Sequence, residues 1–151
     1  MKPARLIASW FGSGFLPGAP GSWGSLAALP CAWLIVAYAG HWQLLVAANL
    51  LFYIGWIAAH FAIRDQSDPD PGWIVVDEVV GQWVTLFALP LNLFAYAIAF
   101  ALFRLFDIWK PFPIRQVERR CGGGFGIMID DVLAAIYALI VIAIGRWLLE
   151  R

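Results

Sequence analysis

From Ser25 to Ile63 the chain carries no Asp, Glu, Lys or Arg. The run is interrupted only by "YAGHWQ" at 38–43, where Gly40 signals a turn. About 20 apolar residues carry a helix across a bilayer. The run therefore predicts two spanning helices, 22–39 and 42–63, joined as a tight hairpin. The loop "RDQSDPDPG" follows, where Pro69 and Pro71 forbid regular helix. A third helix is expected from about Trp73 to Leu89, a turn at "LPLN", and a fourth helix from about Leu93 to Trp109. After the polar stretch "KPFPIRQVERRCGGG", a fifth is expected from about Ile127 to Leu149.

Composition points the same way. Charged residues make up 13% of the 151 residues, against about 25% in soluble domains. A small protein buried inside an oligomer is the other class that this deficit allows. The expected fold is all-α: one domain over 1–151, a polytopic membrane bundle of four or five hydrophobic helices with glycine-rich cytoplasmic loops. Ten basic residues balance ten acidic ones, so no global field points to nucleic acid. Cys31 and Cys121 are too far apart for a CxxC or zinc motif. The N-terminal stretch lacks a long signal-type apolar region and is expected to be retained.

Lys and Arg concentrate on the cytoplasmic side of membrane proteins. Lys2, Arg5, Arg64, Lys110, Arg115, Arg119 and Arg120 fall on one set of loops, with Arg104 near that end of its helix. The turns at 40–42 and 89–92 hold no Lys or Arg, and only Arg146 and Arg151 fall at the opposite face. The N-terminus and the loops 64–73 and 110–126 are thus expected in the cytoplasm. Asp65, Asp68, Asp70, Asp77, Glu78, Asp107, Glu118, Asp130 and Asp131 lie towards the same side.

Five of these acids sit among apolar residues: Asp77 and Glu78 in "WIVVDEVVGQW", Asp107 in "FRLFDIWK", Asp130 and Asp131 in "GIMIDDVLAA". An ionisable group inside a membrane helix costs about 2.5–3.5 kcal/mol on insertion scales. Carboxylates from three helices at similar depth are expected to meet, and unpaired they would repel. A hard divalent cation such as Mg²⁺ removes that conflict, since it takes carboxylate, water and phosphate oxygens. Helix capping is an equally good account of Asp130 or Asp131 alone. It explains Asp77 and Glu78 less well. A proton relay or cation transporter would also place acids in a membrane, but along a path across it.

Arg104 and Lys110 flank Asp107 at three-residue spacing, which suits a metal site that also grips an anion. Arg115, Arg119 and Arg120 add positive charge, although lipid head groups are an equal claim on the last two. Two glycine clusters, Gly12–Leu26 and Cys121–Gly126, precede expected helices and expose N–H groups suited to phosphate. Gly123 and Gly124 in the second, and Ser22 and Ser25 in the first, are candidate phosphate contacts; the serines are equally good caps. Neither cluster matches a nucleotide-binding motif. Only His41 and His60 occur, neither with a nearby acid, and no arginine lies six residues after either cysteine. Phosphohistidine and cysteine-phosphatase chemistry are therefore not expected. "DPDP" lacks a preceding apolar strand and reads as a loop.

Taken together and in order, "GSGFLPGAPGSWGSL", "DPDPGWIVVDEVVGQW", "FRLFDIWKPFPI" and "GGGFGIMIDDVLAA" resemble the phosphatidylglycerophosphatase A family. Ser22 stands where the family has threonine, which keeps the hydroxyl. The resemblance implies a Mg²⁺-dependent lipid phosphatase of the bacterial cytoplasmic membrane, with its site facing the cytoplasm. It would convert phosphatidylglycerophosphate to phosphatidylglycerol and phosphate. Asp77, Glu78, Asp107, Asp130 and Asp131 would be the metal set, with Asp107, Asp130 and Asp131 also the catalytic candidates. Lys110, Arg104 and Arg115 would hold the phosphate. A general base, Asp130 or Asp131, and a carboxylate nucleophile are both compatible with these residues. Another lipid phosphate, such as a polyprenyl phosphate, is the alternative substrate, and a cation transporter the alternative class.

Overall fold

A computed structural model describes residues 2–64 and 66–151; Asp65 lies outside the described residues. Seven α-helices and one 3₁₀ turn, Ser13–Phe15, make up the described chain, with no strand among the described residues. They are α1 Pro3–Ala8, α2 Pro20–Tyr38, α3 His41–Ile63, α4 Val76–Leu86, α5 Leu93–Trp109, α6 Ile114–Arg120 and α7 Gly123–Leu149. Helices α2, α3 and α7 are long and apolar enough to cross a membrane, and this is a membrane protein. Helix α2 opens with Pro20 in its first turn, where the missing N–H costs nothing. The hairpin to α3 turns at Gly40, whose φ of 101° is open to glycine alone.

The third expected helix is shorter than 73–89. Residues 73–75 are drawn out of helical register because Val75 N–H donates to Ala8 O at 2.8 Å, tying the segment to α1. At the other end Pro90 has no N–H to continue the helix. Helix α4 is thus about 16 Å long at 1.5 Å per residue, too short to span alone. The turn after it is tied to the neighbouring helices: His41 Nε2 donates to Leu89 O at 2.8 Å, and Arg146 Nη1 donates to Ala88 O at 3.3 Å. The turns at 40–42 and 89–92 therefore share one end of the bundle with Arg146.

The fifth expected helix is longer than 127–149, and a short helix, α6, occupies part of the polar stretch before it. The glycine run is the cause. A Cβ on Gly124 would lie 2.6 Å from both His60 N and Trp56 O. One on Gly126 would lie 1.6 Å from Cys121 O. Without side chains here, α7 begins four residues earlier and packs directly on α3.

Helix α4 is the centre. Its residues Val76, Val79, Val80, Trp83 and Leu86 are buried among α2, α3, α5 and α7. Trp83 Nε1 donates to Ala28 O at 3.0 Å, fixing α4 against α2. Gly81 sets its distance from α5 and α7: a Cβ there would meet Phe103 Cε2 at 2.3 Å and Asp131 O at 2.9 Å. That close approach brings the acids of α4 and α7 to one level.

Candidate metal centre

Three helix segments supply the carboxylates. Asp77 and Glu78 stand in the first turn of α4, Asp107 near the end of α5, and Asp130 and Asp131 about two turns into α7. Successive residues on a helix diverge by about 100°, so Asp77 and Glu78 face different neighbours. One oxygen each from Asp77, Asp130 and Asp131 lie within 4.8 Å of one another, and so do oxygens from Glu78, Asp107 and Asp131. Asp131 belongs to both groups. All five sequence-predicted acids thus converge, and four are buried: Asp77, Asp107, Asp130 and Asp131.

Two cations meet the cluster at different acids. Arg104 Nη1 is paired with Asp107 Oδ2 and lies 3.7 Å from Glu78 Oε1. Lys110 Nζ donates at 2.7 Å to Asp130 Oδ2 and at 2.7 Å to Glu118 Oε1. Burial alone would lower the Lys110 pKa, but Asp130 and Glu118 outweigh it and hold the ammonium above its ordinary value. Asp130 Oδ1 accepts from Asp131 N–H at 3.1 Å, so both oxygens of Asp130 are engaged.

Three of the other acids are not fully satisfied. Asp77 Oδ1, Glu78 Oε2 and Asp131 Oδ2 are buried without a hydrogen-bond partner. Buried polar atoms are nearly always paired, and five carboxylates against two cations leave a formal excess of three negative charges. The residues therefore fit a cation: an all-carboxylate donor set with orphaned oxygens suits a hard ion of the Mg²⁺, Mn²⁺ or Ca²⁺ type.

A cavity of about 530 Å³ adjoins the cluster, lined in part by Asp70, Arg115, Glu118, Arg119, Gly123 and Asp130. Arg115 and Gly123 thus face this cavity, while Gly124 is spent on the contact with α3. Ser22 lines a separate hollow beside Trp23 and Phe100, and Ser25 is buried with its Oγ unpartnered. Asp68 Oδ1 accepts from Asp70 N–H at 3.0 Å, a local turn that fits "DPDP" as a loop.

Four participants were not legible as such. Glu118 completes the Lys110 bridge, but in the sequence it is one acid among the basic residues of "RQVERR". Asp70 reaches the cavity from a loop distant in sequence. Gln82, one turn beyond Glu78, is buried with both amide atoms unpartnered; its four-residue spacing from Glu78 was the available signal. Gly21 presses on the pair between α4 and α5: a Cβ there would lie 2.3 Å from Glu78 Oε1 and 2.9 Å from Arg104 Nη1.

Comparison with known proteins places this geometry. The family profile described as Phosphatidylglycerophosphatase A matches residues 6–146. A Haemophilus influenzae protein named Phosphatidylglycerophosphatase A is 45% identical over 151 residues, covering 99% of this chain and 93% of the relative. An Escherichia coli K12 protein of the same name is 44% identical over 137 residues, covering 89% and 78%. A Bacteroides thetaiotaomicron protein carrying a provisional phosphatidylinositol-3-phosphatase name is 42% identical over 151 residues, covering 95% and 94%. No solved structure matches the chain.

Proposed function

The chain belongs to the phosphatidylglycerophosphatase A family and is a lipid phosphatase, and on that premise we propose that it hydrolyses phosphatidylglycerophosphate to phosphatidylglycerol and phosphate at a Mg²⁺-dependent carboxylate centre. The observation that carries the Mg²⁺ dependence is the set of three orphaned carboxylate oxygens, on Asp77, Glu78 and Asp131, in two acid groups sharing Asp131. Asp77, Glu78, Asp107 and Asp131 would hold the ion, with Asp130 at the edge of the set. A bound divalent cation supplies neutralisation of phosphoryl oxygens and a more acidic water.

The chain's own residues do the rest. Arg104, beside Asp107 and Glu78, and Lys110, beside Asp130, grip the terminal phosphate, which carries close to two negative charges with a second pKa of about 6. Asp130 is the general base: it alone of the five acids lines the polar cavity, and Lys110 and the Asp131 N–H fix its orientation. It takes a proton as water attacks phosphorus. The bond to the glycerol oxygen breaks, the proton held on Asp130 passes through solvent to that oxygen so that the lipid leaves as its alcohol, and phosphate departs through the cavity. Arg115 and Gly123 line that exit.

The site faces the cytoplasm of a bacterial inner membrane in this reading. The supporting feature is the grouping of Arg5, Arg64, Lys110, Arg115, Arg119 and Arg120 at the end of the bundle that carries the acids. The test is phosphate release by purified protein from phosphatidylglycerophosphate, phosphatidylinositol 3-phosphate, a polyprenyl phosphate and soluble glycerol phosphate, each with Mg²⁺ and with chelator. Fastest release from phosphatidylglycerophosphate, abolished by chelator and restored by Mg²⁺, is expected. Faster release from another substrate would reassign the specificity, and chelator-resistant release would remove the metal from the account.

A further inference from the structure

A second concavity runs through the apolar part of the bundle. Between α2 and α5 lies a hollow of about 510 Å³ lined by Leu26, Leu29, Trp33, Tyr96, Ala97 and Phe100, among others. It continues towards the head-group end into the smaller hollow at Ser22 and Trp23, which shares Leu26 and Phe100 with it. Pro30 is part of its wall on α2. Ala97 is exposed on α5, and its small side chain helps leave the space open.

Three features say what this groove holds. First, it ends at the site: Phe100 and Arg104 are four residues apart and share a face of α5. Gly21, next to Ser22, presses on the Arg104–Glu78 pair. Second, its length suits one acyl chain. On α2 its lining runs from Ser22 to Trp33, about 16 Å at 1.5 Å per residue, close to half of the roughly 30 Å hydrocarbon core, and on α5 from Leu93 to Phe100, about 10 Å. Third, the two approaches to the acids differ in chemistry. The side at Lys110 opens on a cavity with charged walls, while the side at Arg104 continues into this apolar groove.

We infer that the α2–α5 groove holds one acyl chain of the lipid substrate, so that the lipid enters beside Arg104 and phosphate leaves beside Lys110. This rests on the lipid-phosphatase reading above. Lipid tails are already apolar, so the groove adds little transfer energy; its effect is positional. It sets the depth and azimuth of the head group relative to the carboxylates. Substrate selection then includes a chain-length component that the polar cavity does not supply.

The experiment compares Ala97→Phe, which fills the groove from an exposed position, with Ile98→Phe, also exposed on α5 but lining a different hollow. Both are assayed on dioleoyl and on dibutanoyl phosphatidylglycerophosphate in mixed micelles. Ala97→Phe is expected to lower kcat/KM on the dioleoyl lipid about tenfold, equivalent to about 1.4 kcal/mol. Its activity on the dibutanoyl lipid should stay within about twofold of wild type, as should both activities of Ile98→Phe, because neither loses a contact made in that reaction. In parallel, a dioleoyl-type lipid phosphate with a mid-chain diazirine is crosslinked to the wild-type protein, which needs no turnover. Adducts at Trp33 or Tyr96 are expected. Equal loss on both chain lengths, no loss on either, or adducts confined to other helices would overturn the groove assignment. Wild-type protein that crosslinks in the groove yet releases no phosphate would instead sink the lipid-phosphatase reading and leave the groove standing.

Discussion

A single methyl group at position 21 probes the site without replacing any charged residue. Gly21 lies in the first turn of α2, and an added Cβ would sit 2.3 Å from Glu78 Oε1 and 2.9 and 3.0 Å from the two terminal nitrogens of Arg104. Carbon–oxygen contacts settle near 3.3 Å or beyond, so the Glu78 carboxylate must move by about 1 Å. Both obstructing groups are the ends of flexible side chains, so the helices need not separate. A 1 Å misplacement of catalytic geometry costs about 10²-fold in rate, or about 2.7 kcal/mol in the barrier. The backbone effect runs the other way, because replacing glycine by alanine in a helix stabilises it by roughly 0.5–1 kcal/mol. Gly21→Ala should therefore unfold at the same or a higher temperature in detergent, yet release phosphate about 100-fold more slowly. Gly145→Ala, in α7 with open space around its Cβ position, is the matched control: it should share the helix stabilisation and release phosphate at the wild-type rate. A Gly21→Ala enzyme with wild-type kcat/KM would refute the claim that the Glu78–Arg104 arrangement is held in a productive geometry.

Three further outcomes follow from the same geometry. Asp131→Asn, which alters the acid common to both groups, should cut turnover by about 10³-fold or more, as loss of a charge-stabilising group does; circular dichroism should show the helices retained, and a smaller loss than Asp77→Asn gives would contradict its shared position. Lys110→Met leaves Asp130 buried without its cation and should destabilise the protein by about 2 kcal/mol, less than the 3–5 of a fully buried pair because Lys110 keeps a fifth of its side chain exposed; thermal unfolding reads this, and an unchanged midpoint would count against it. Single cysteines at Gln66 and Gln116, placed in a background lacking Cys31 and Cys121, should react only with reagent on the cytoplasmic side, and periplasmic labelling at Gln116 would invert the orientation.

The helical architecture was legible because hydropathy and proline placement act locally. The uncharged run 25–63 and its single glycine turn give α2 and α3 to within about two residues, and Leu93–Trp109 is α5 as read. The boundaries that shifted were set by contacts between distant segments. Val75 bonds to Ala8 and delays α4, and Gly124 seats α7 against Trp56 and His60 and brings its start forward. The convergence of Asp77, Glu78, Asp107, Asp130 and Asp131 was readable because isolated acids in apolar helices are too costly to be scattered. Their division into two groups was not, since it depends on how α4 is rotated between α5 and α7. Glu118 and Asp70 escaped for another reason: in the sequence they sit among other charges and turn residues, and only the fold brings them to Lys110 and the polar cavity. Gly21 gave no signal of its own, because the need for a missing side chain appears only when its neighbours are in place.

Lipid hydrolysis depends, in this reading, on a divalent-cation centre held by Asp77, Glu78, Asp107 and Asp131 with Asp130 at its edge. The most direct test is the amount of Mn²⁺, standing in for Mg²⁺, bound by the purified protein in detergent, followed by electron paramagnetic resonance. Wild-type protein and Asp131→Asn are titrated side by side. The account expects saturable binding by the wild-type protein, displaced by excess Mg²⁺ and lost or severely weakened in Asp131→Asn. No saturable Mn²⁺ binding by the wild-type protein, or binding unaffected by Asp131→Asn, would contradict it.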